Sequence, residues 1–266
     1  MIRRDAGDNW FLIAQPAHAA LAGQFAQHWG NGLFAPPEPR AEVILAANAH
    51  DNGWMEWEDS PKVDRQGVPY NFSEMPIPDH LSIWRLGTAR MLERNPYAAL
   101  LVSLHGADLY SYGLDAKRDS PEARELVADF LRDQAAFQTR LRQELREHPR
   151  YAQWASEEAI RLNFRLLQVW DWLSLVLCCR PVARQVIERV PARPGGQHAS
   201  LRLLPQPNGS LLIRPYPFRV SPLAVWVEGK TIPARPYEIE ELREHLQAAS
   251  PERMAFHIAG DQKDVR

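Results

Sequence analysis

Between Glu157 and Cys179 the chain carries its most apolar helical pattern, and inside that pattern stands a carboxylate, Asp171, flanked by Trp170 and Trp172. A helix this apolar belongs at the centre of a fold. A carboxylate buried within it is costly unless it is paired or bound to a cation. Whatever architecture the chain adopts must therefore bring partners to Asp171. The apolar run Leu166 to Cys179, interrupted by Gln168 and Asp171, is too short to span a bilayer.

The segments before it read as further helices. Trp10 to Ala14 is a short strand or extended lead-in, and Pro16 opens a helix to about Trp29 with His18, Leu21, Ala22, Phe25 and Trp29 on one face. A second helix, Ala41 to Asp51, ends in Ala49-His50-Asp51-Asn52-Gly53-Trp54, where the glycine lets the backbone turn. Gly53 to Pro78 holds no sustained period and reads as a long loop, a length often tied to function. Asp79-His80 begins a third helix, and Asn95-Pro96 separates it from a fourth, Tyr97 to about Tyr110. A loop follows from Gly113. Ser120-Pro121-Glu122 then caps a long helix carrying Leu126, Phe130, Phe137, Leu141 and Leu145.

Beyond about Pro191 the pattern changes. Pro194-Gly195-Gly196 reads as a linker, and Asn208-Gly209 between two apolar runs is a strong hairpin signal. Leu223 to Val227, Gly229-Lys230 and Thr231-Ile232 suggest a second hairpin. Glu238 to Ala248 reads as a short amphipathic helix and Met254 to Ile258 as a last strand. The expected fold is mainly α, a helical body at 1–190 with a small β-rich (α+β) appendage at 197–260. Exposed strand edges in that appendage would suit a homodimer.

Composition excludes more than it selects. The chain has 266 residues, 45% hydrophobic and 24% charged, with a net charge of −2. These are values of an ordinary globular protein, with no surplus of positive charge for nucleic acid. Cys178 and Cys179 are adjacent in an apolar run, which suits neither a disulfide framework nor a zinc spacing. The N-terminal stretch lacks the apolar segment of a signal peptide. A cytoplasmic protein acting on a small molecule, away from membranes and nucleic acid, is the expectation.

The helical body offers six candidate metal ligands: His18, His50, Asp51, His80, His105 and Asp171. Each alone has a packing explanation; His105, for example, could be a helix-end charge favoured by the dipole. His28, His148, His198, His245 and His257 sit in contexts that read as structural. Imidazoles and carboxylates without a thiolate suit iron, manganese or zinc.

In their order, His, His-Asp, His, His and Asp, these residues resemble the HD-domain superfamily of helical metalloenzymes. The resemblance covers His18 to Asp171, and the gaps of 32, 30 and 25 residues between successive candidate-ligand histidines are similar to those of HD-GYP phosphodiesterases. It implies an HD-like helical bundle and one ion held by His18, His50, Asp51 and Asp171. It further implies a second ion at His80 and His105, with Asp51 as the bridging, catalytic carboxylate. Similar six-ligand sets occur in myo-inositol oxygenase and a phosphonate-cleaving oxygenase. The whole chain, including Gln15-Pro16, Asn52-Gly53-Trp54, Ser103-Leu104-His105 and the β-rich tail, also resembles an uncharacterised bacterial family without an assigned activity. Two departures bear on substrate: Trp54 stands where many dinuclear members place a lysine, and the Gly-Tyr-Pro motif is missing.

Two reactions follow from the resemblance. Two divalent ions, iron by preference with manganese or zinc as alternatives, could clamp a phosphoryl group for hydrolysis. Gln15, Asn52 and Trp54 would contact substrate in that phosphohydrolase or phosphodiesterase. The same cage with two irons could instead oxidise a small hydroxylated molecule, which aromatic Trp54, Trp57 and Tyr70 would suit. A third reading is a non-catalytic, metal-stabilised binding protein. Asn163, Gln168 and Ser174 fall near the Asp171 face of their helix and are expected to support the site.

Overall fold

The computed structural model describes residues 1–112, 120–179, 182–192 and 197–260. The loop expected from Gly113 and the Pro194-Gly195-Gly196 linker fall outside them. A first hairpin, β1 (Ile2–Asp5) and β2 (Asn9–Ile13), leads into α1 (Gln15–His28). Pro16 lies in the first turn of α1, where its missing N–H leaves no intrahelical bond unmade. Next come α2 (Arg40–Ala49), the short α3 (Met55–Asp59), α4 (Ile77–Arg94) and α5 (Pro96–Tyr112). Asn95 ends α4 and starts α5, its side-chain oxygen accepting from the Ala98 N–H at 2.9 Å. The long α6 (Pro121–Glu147) is capped by Ser120, whose hydroxyl accepts from the Ala123 N–H, as the Ser-Pro-Glu signal predicts.

The central helix is α7 (Glu157–Cys179). Leu166, Leu167, Trp170 and Leu173 are buried in the main core, each contributing roughly 1.5–3 kcal/mol by leaving water. Helix α7 packs against α1, α2 and α5 on its helical side and against β1 and β3 (Gln185–Pro191) on the other.

The expectation of a mainly α fold with a small C-terminal β appendage is wrong. The chain is 54% helical and 21% strand, an α+β fold with one curled, mixed seven-stranded sheet. The strands after β3 are β4 (His198–Pro205), β5 (Leu211–Arg214), β6 (Leu223–Pro233) and β7 (Pro251–Ala259), with α8 (Ile239–Ala248) between the last two. Their order in the sheet is β1-β2-β6-β7-β5-β4-β3. Strands from both ends of the chain thus join: β2 pairs antiparallel with β6, Leu12 opposite Lys230. Among the described strands only the β5–β7 pair is parallel. The physical reason for the difference is that β1, Ile-Arg-Arg-Asp, is short and charged, so no periodicity announces it, and its hairpin partner β2 reaches the C-terminal strands only through the non-local pairing with β6. One continuous core runs from Leu21 and Trp170 to Leu203, Ile213 and Val225.

Two local expectations divide. Asn208-Gly209 does turn β4 into β5, with Gly209 at φ 81. The second hairpin does not exist: β6 runs straight through Gly229. A Cβ there would come within 2.6 Å of the Phe11 ring, so this glycine serves close packing on β2 rather than a turn. The long Gly53–Pro78 loop is partly ordered by α3 and by a turn at Phe72–Glu74 that Asn71 and Glu74 cap reciprocally. No helix among the described residues is long and apolar enough to cross a membrane.

Candidate metal centre

Five of the six candidate ligands converge. His18 comes from the first turns of α1, His50 and Asp51 from the end of α2, His105 from α5 and Asp171 from α7; all five are buried. His18 Nε2 lies 2.9 Å from Asp171 Oδ1 and 3.5 Å from Asp51 Oδ2. His50 Nε2 lies 3.3 Å from each of the same two oxygens. His105 Nε2 is 3.6 Å from Asp171 Oδ2.

The His-Asp dipeptide reaches one target because α2 stops there. His50 is the C-terminal cap residue, and Asp51 takes φ −96 and ψ 22, between the helical and extended regions. The two side chains, which an unbroken helix would splay apart, then turn to the same point. Gly53 is needed next, though not for a left-handed turn: a Cβ would fall 2.0 Å from the Ile83 carbonyl oxygen. The chain after the dipeptide lies directly on α4 at Gly87. Asn52 fixes this contact, donating from Nδ2 to the carbonyls of Ala49 and Gly87. It braces the corner and is absent from the cavity wall.

Hydrogen bonds select the tautomers. His50 Nδ1 meets the Ala47 carbonyl at 2.9 Å, an acceptor only, so Nδ1 carries the hydrogen. Nε2 then points at Asp51 and Asp171, 3.3 Å from an oxygen of each; it carries a proton while the ring is charged and would offer a lone pair only where an ion takes that proton's place. Ser174 gives its proton to the Asp171 carbonyl at 2.7 Å, so its oxygen accepts from His18 Nδ1 at 2.8 Å. His18 Nε2 likewise faces the carboxylates. Two carboxylates buried at one point need positive charge among them, from a proton on an imidazole or from a metal ion.

Ionisation reflects the same demand. Burial alone would lower the His50 pKa, but the charge of Asp51 and hydrogen bonding to Asp171 and Asp51 hold it well above the usual imidazole value. Burial alone would raise Asp171, yet hydrogen bonding from His18 and His50 holds it well below the usual carboxylate range. Asp51 is lowered too, burial opposing and His50 favouring its charge. His105 differs: burial pushes it down to about 4, so it is a neutral ring with Nδ1 unpartnered. Two ligand triplets are close enough to hold an ion, His18 with His50 and Asp51, and His50 with His105 and Asp171. Both use His50, whose one available nitrogen is Nε2. The donors therefore describe one ion position, and they fit a divalent metal.

His80 lies apart from these triplets. It is buried on the wall of the same cavity, where its Nδ1 meets the Tyr110 hydroxyl and its Nε2 accepts from the Trp84 indole N–H at 3.2 Å. The cavity, about 120 Å³, opens over Asp171 and is walled by Gln15, Trp54, Phe72, Trp84, Leu109 and Leu175 beside the ligands. Gln15 Oε1 is buried there without a partner. Trp57 and Tyr70 pack instead in a satellite cluster with Met75 and Ile83. Of the supporting residues expected on α7, Ser174 holds His18, whereas Asn163 bonds Glu38 and Tyr97, and Gln168 bonds Asp108. Trp84 and Tyr110 were not singled out by the sequence reading. Trp84 follows His80 by one helical turn and was findable, but Tyr110 reaches His80 only through the packing of α4 on α5.

The family described as "Protein of unknown function (DUF3891)" matches residues 1–234, and the chain belongs to it. No curated protein and no solved structure matches the chain.

Proposed function

We propose that the protein is a metal-dependent enzyme of HD type, with His18, His50, Asp51 and Asp171 holding an ion and a small molecule entering the cavity above them. Hydrolysis of a small phosphoester is the first reading. The observation that carries it is His50 Nε2, a buried nitrogen aimed between two carboxylates, 3.3 Å from each, where a metal ion can take the place of a proton. A bound divalent ion supplies Lewis acidity at that point.

The chain's own residues do the rest. Asp51 and Asp171 stay ionised and supply the negative charge. The Ala47 carbonyl and Ser174 fix the His50 and His18 rings with Nε2 inward. Trp54, Trp84 and Phe72 keep water from the far side of the substrate, and the Gln15 amide offers it a hydrogen bond. The second ion implied by the HD resemblance would draw on His105 and His80, and His80 would first exchange its Tyr110 or Trp84 bond for it.

A second reading, oxidation of a small hydroxylated molecule with iron and dioxygen, has its own observation. No lysine or arginine is among the described residues lining the cavity. A phosphate there would rely on metal charge alone, whereas a neutral polyol matches aromatic walls and a lone amide.

Elemental analysis of protein purified with and without air tests the reading. About one ion per chain supports the four-ligand set, and about two supports a dinuclear centre. Protein that carries no metal and takes up none would sink the proposal. Phosphate release from simple esters and oxygen uptake, assayed side by side, then separate the two reactions.

A further inference from the structure

The outward flank of α7 borders a larger groove, about 820 Å³, between that helix, Asp108 of α5 and strands β3 and β4. That volume is in the range of small-ligand sites. Its wall includes Arg161, Arg165, Arg189, Phe164 and His198. The three arginines differ in employment. Arg165 is a strut: Nε donates to the Arg189 carbonyl at 3.2 Å, Nη2 to the Glu188 carbonyl at 2.5 Å and Nη1 to Gln168 Oε1 at 3.2 Å. It fastens α7 to β3. Arg161 and Arg189 have no hydrogen-bond acceptor or carboxylate engaging their guanidinium groups among the described residues.

The acids of the groove do not neutralise them. Asp108 is held by Gln168 Nε2 at 2.7 Å, and Glu158, at the mouth, forms no ion pair among the described residues. Arg161 and Arg165 stand one turn apart on α7, a spacing at which like charges repel. Arg189 is the one non-glycine residue at positive φ, 54°, among those described, and it sits where β3 bulges between Ile187 and Val190. A bulge re-aims a side chain. A left-handed backbone at a long, branched-headed residue costs stability that glycine would not lose. Here it directs a guanidinium into the groove.

We infer that this groove binds a small phosphorylated ligand, with Arg161 and Arg189 taking the phosphate and Phe164 meeting an apolar or aromatic part. Two unpaired guanidinium forks match a phosphate dianion better than a single carboxylate, since each fork can take two oxygens. The site is separate from the metal centre and does not depend on what reaction occurs there.

Calorimetric titration of the full-length, metal-replete protein with inorganic phosphate and with adenosine monophosphate tests this at low salt. Saturable binding of the nucleotide, tighter than that of phosphate, is expected. Arg161→Glu and Arg189→Gly should each weaken it by about tenfold or more, the range for losing a charged hydrogen bond. Arg189→Gly should melt no lower than the parent, because glycine accepts the backbone, and so separates ligand loss from unfolding. Absence of saturable binding of either probe at millimolar concentration overturns the inference. So does binding that both variants retain, or binding that Asp171→Asn abolishes while Arg161→Glu does not, which would place the ligand at the metal centre.

Discussion

Helix α7 handles charge in two ways. Inward, Asp171 is buried with three histidines and a second carboxylate around it, and each ring but His105 is fixed by a hydrogen bond on its far nitrogen. Outward, Arg161 and Arg165 lie in a wet groove, where one is tied into the fold and the other is left unengaged. The inner cluster is costly to disturb, because a polar or charged group taken out of water and left without its partner carries the full desolvation penalty. The outer one is cheap, because water matches what the protein does not. Stability should therefore answer strongly to changes at the first and weakly to changes at the second.

The sharpest break of that contrast is Asp171→Ala. In the ion-free protein it leaves buried His18 and His50 with Asp51 as their one remaining carboxylate partner, and a loss of about 3–5 kcal/mol in urea unfolding is expected; a loss within experimental error would deny the cluster its structural weight. Adding manganese or ferrous iron to the wild type at a hundredfold excess over Kd should stabilise by about 2.7 kcal/mol by mass action. A melting temperature indifferent to either ion argues against the site. Ser174→Ala removes the bond that orients His18, and metal affinity measured by competition with a chelator should fall by about 10- to 100-fold.

A smaller effect comes from pH. The folded pKa of His50 is raised, so in ion-free protein its contribution is complete below about 6.5 and is lost as pH rises through the folded value. That of Asp171 is depressed, so its contribution is present above about 3.8 and is lost as pH falls toward the folded value. Unfolding free energy measured across pH with a chelator present should show the alkaline decline, and bound metal, which replaces the His50 proton, should flatten it. An alkaline decline that metal leaves unchanged would mean the ion does not meet His50. Least affected is Arg161→Ala, whose stability should stay within about 0.5 kcal/mol of wild type.

Much of the candidate cluster was legible because its residues stand where the pattern is locally odd. Asp171 interrupts a strongly apolar helix, and the His-Asp dipeptide ends another; both anomalies demand an explanation from the sequence alone. His80 shows the limit of that reasoning. Its spacing fits a ligand, yet its two nitrogens are spent on Tyr110 and Trp84, partners that only the packing of α4 and α5 supplies. Asn52 reads as a substrate contact and proves to be a brace, because nothing in the sequence says that α4 lies against it.

By itself the sequence determined the long helices, the start of one at Pro16 and the cap of another at Ser120, the break at Asn95-Pro96, the Asn208-Gly209 turn and the residues with a reason to seek a cation. These rest on neighbours within a few positions, where periodicity and capping act. Tertiary structure alone decided the sheet that joins the β1–β2 hairpin to the C-terminal strands, the purpose of Gly229 against Phe11 and the convergence of five candidate ligands from four helices. It also decided which arginines stay unengaged. Strand pairing, close backbone approach and burial depend on residues far apart in the chain, and their energies exist only once those residues meet.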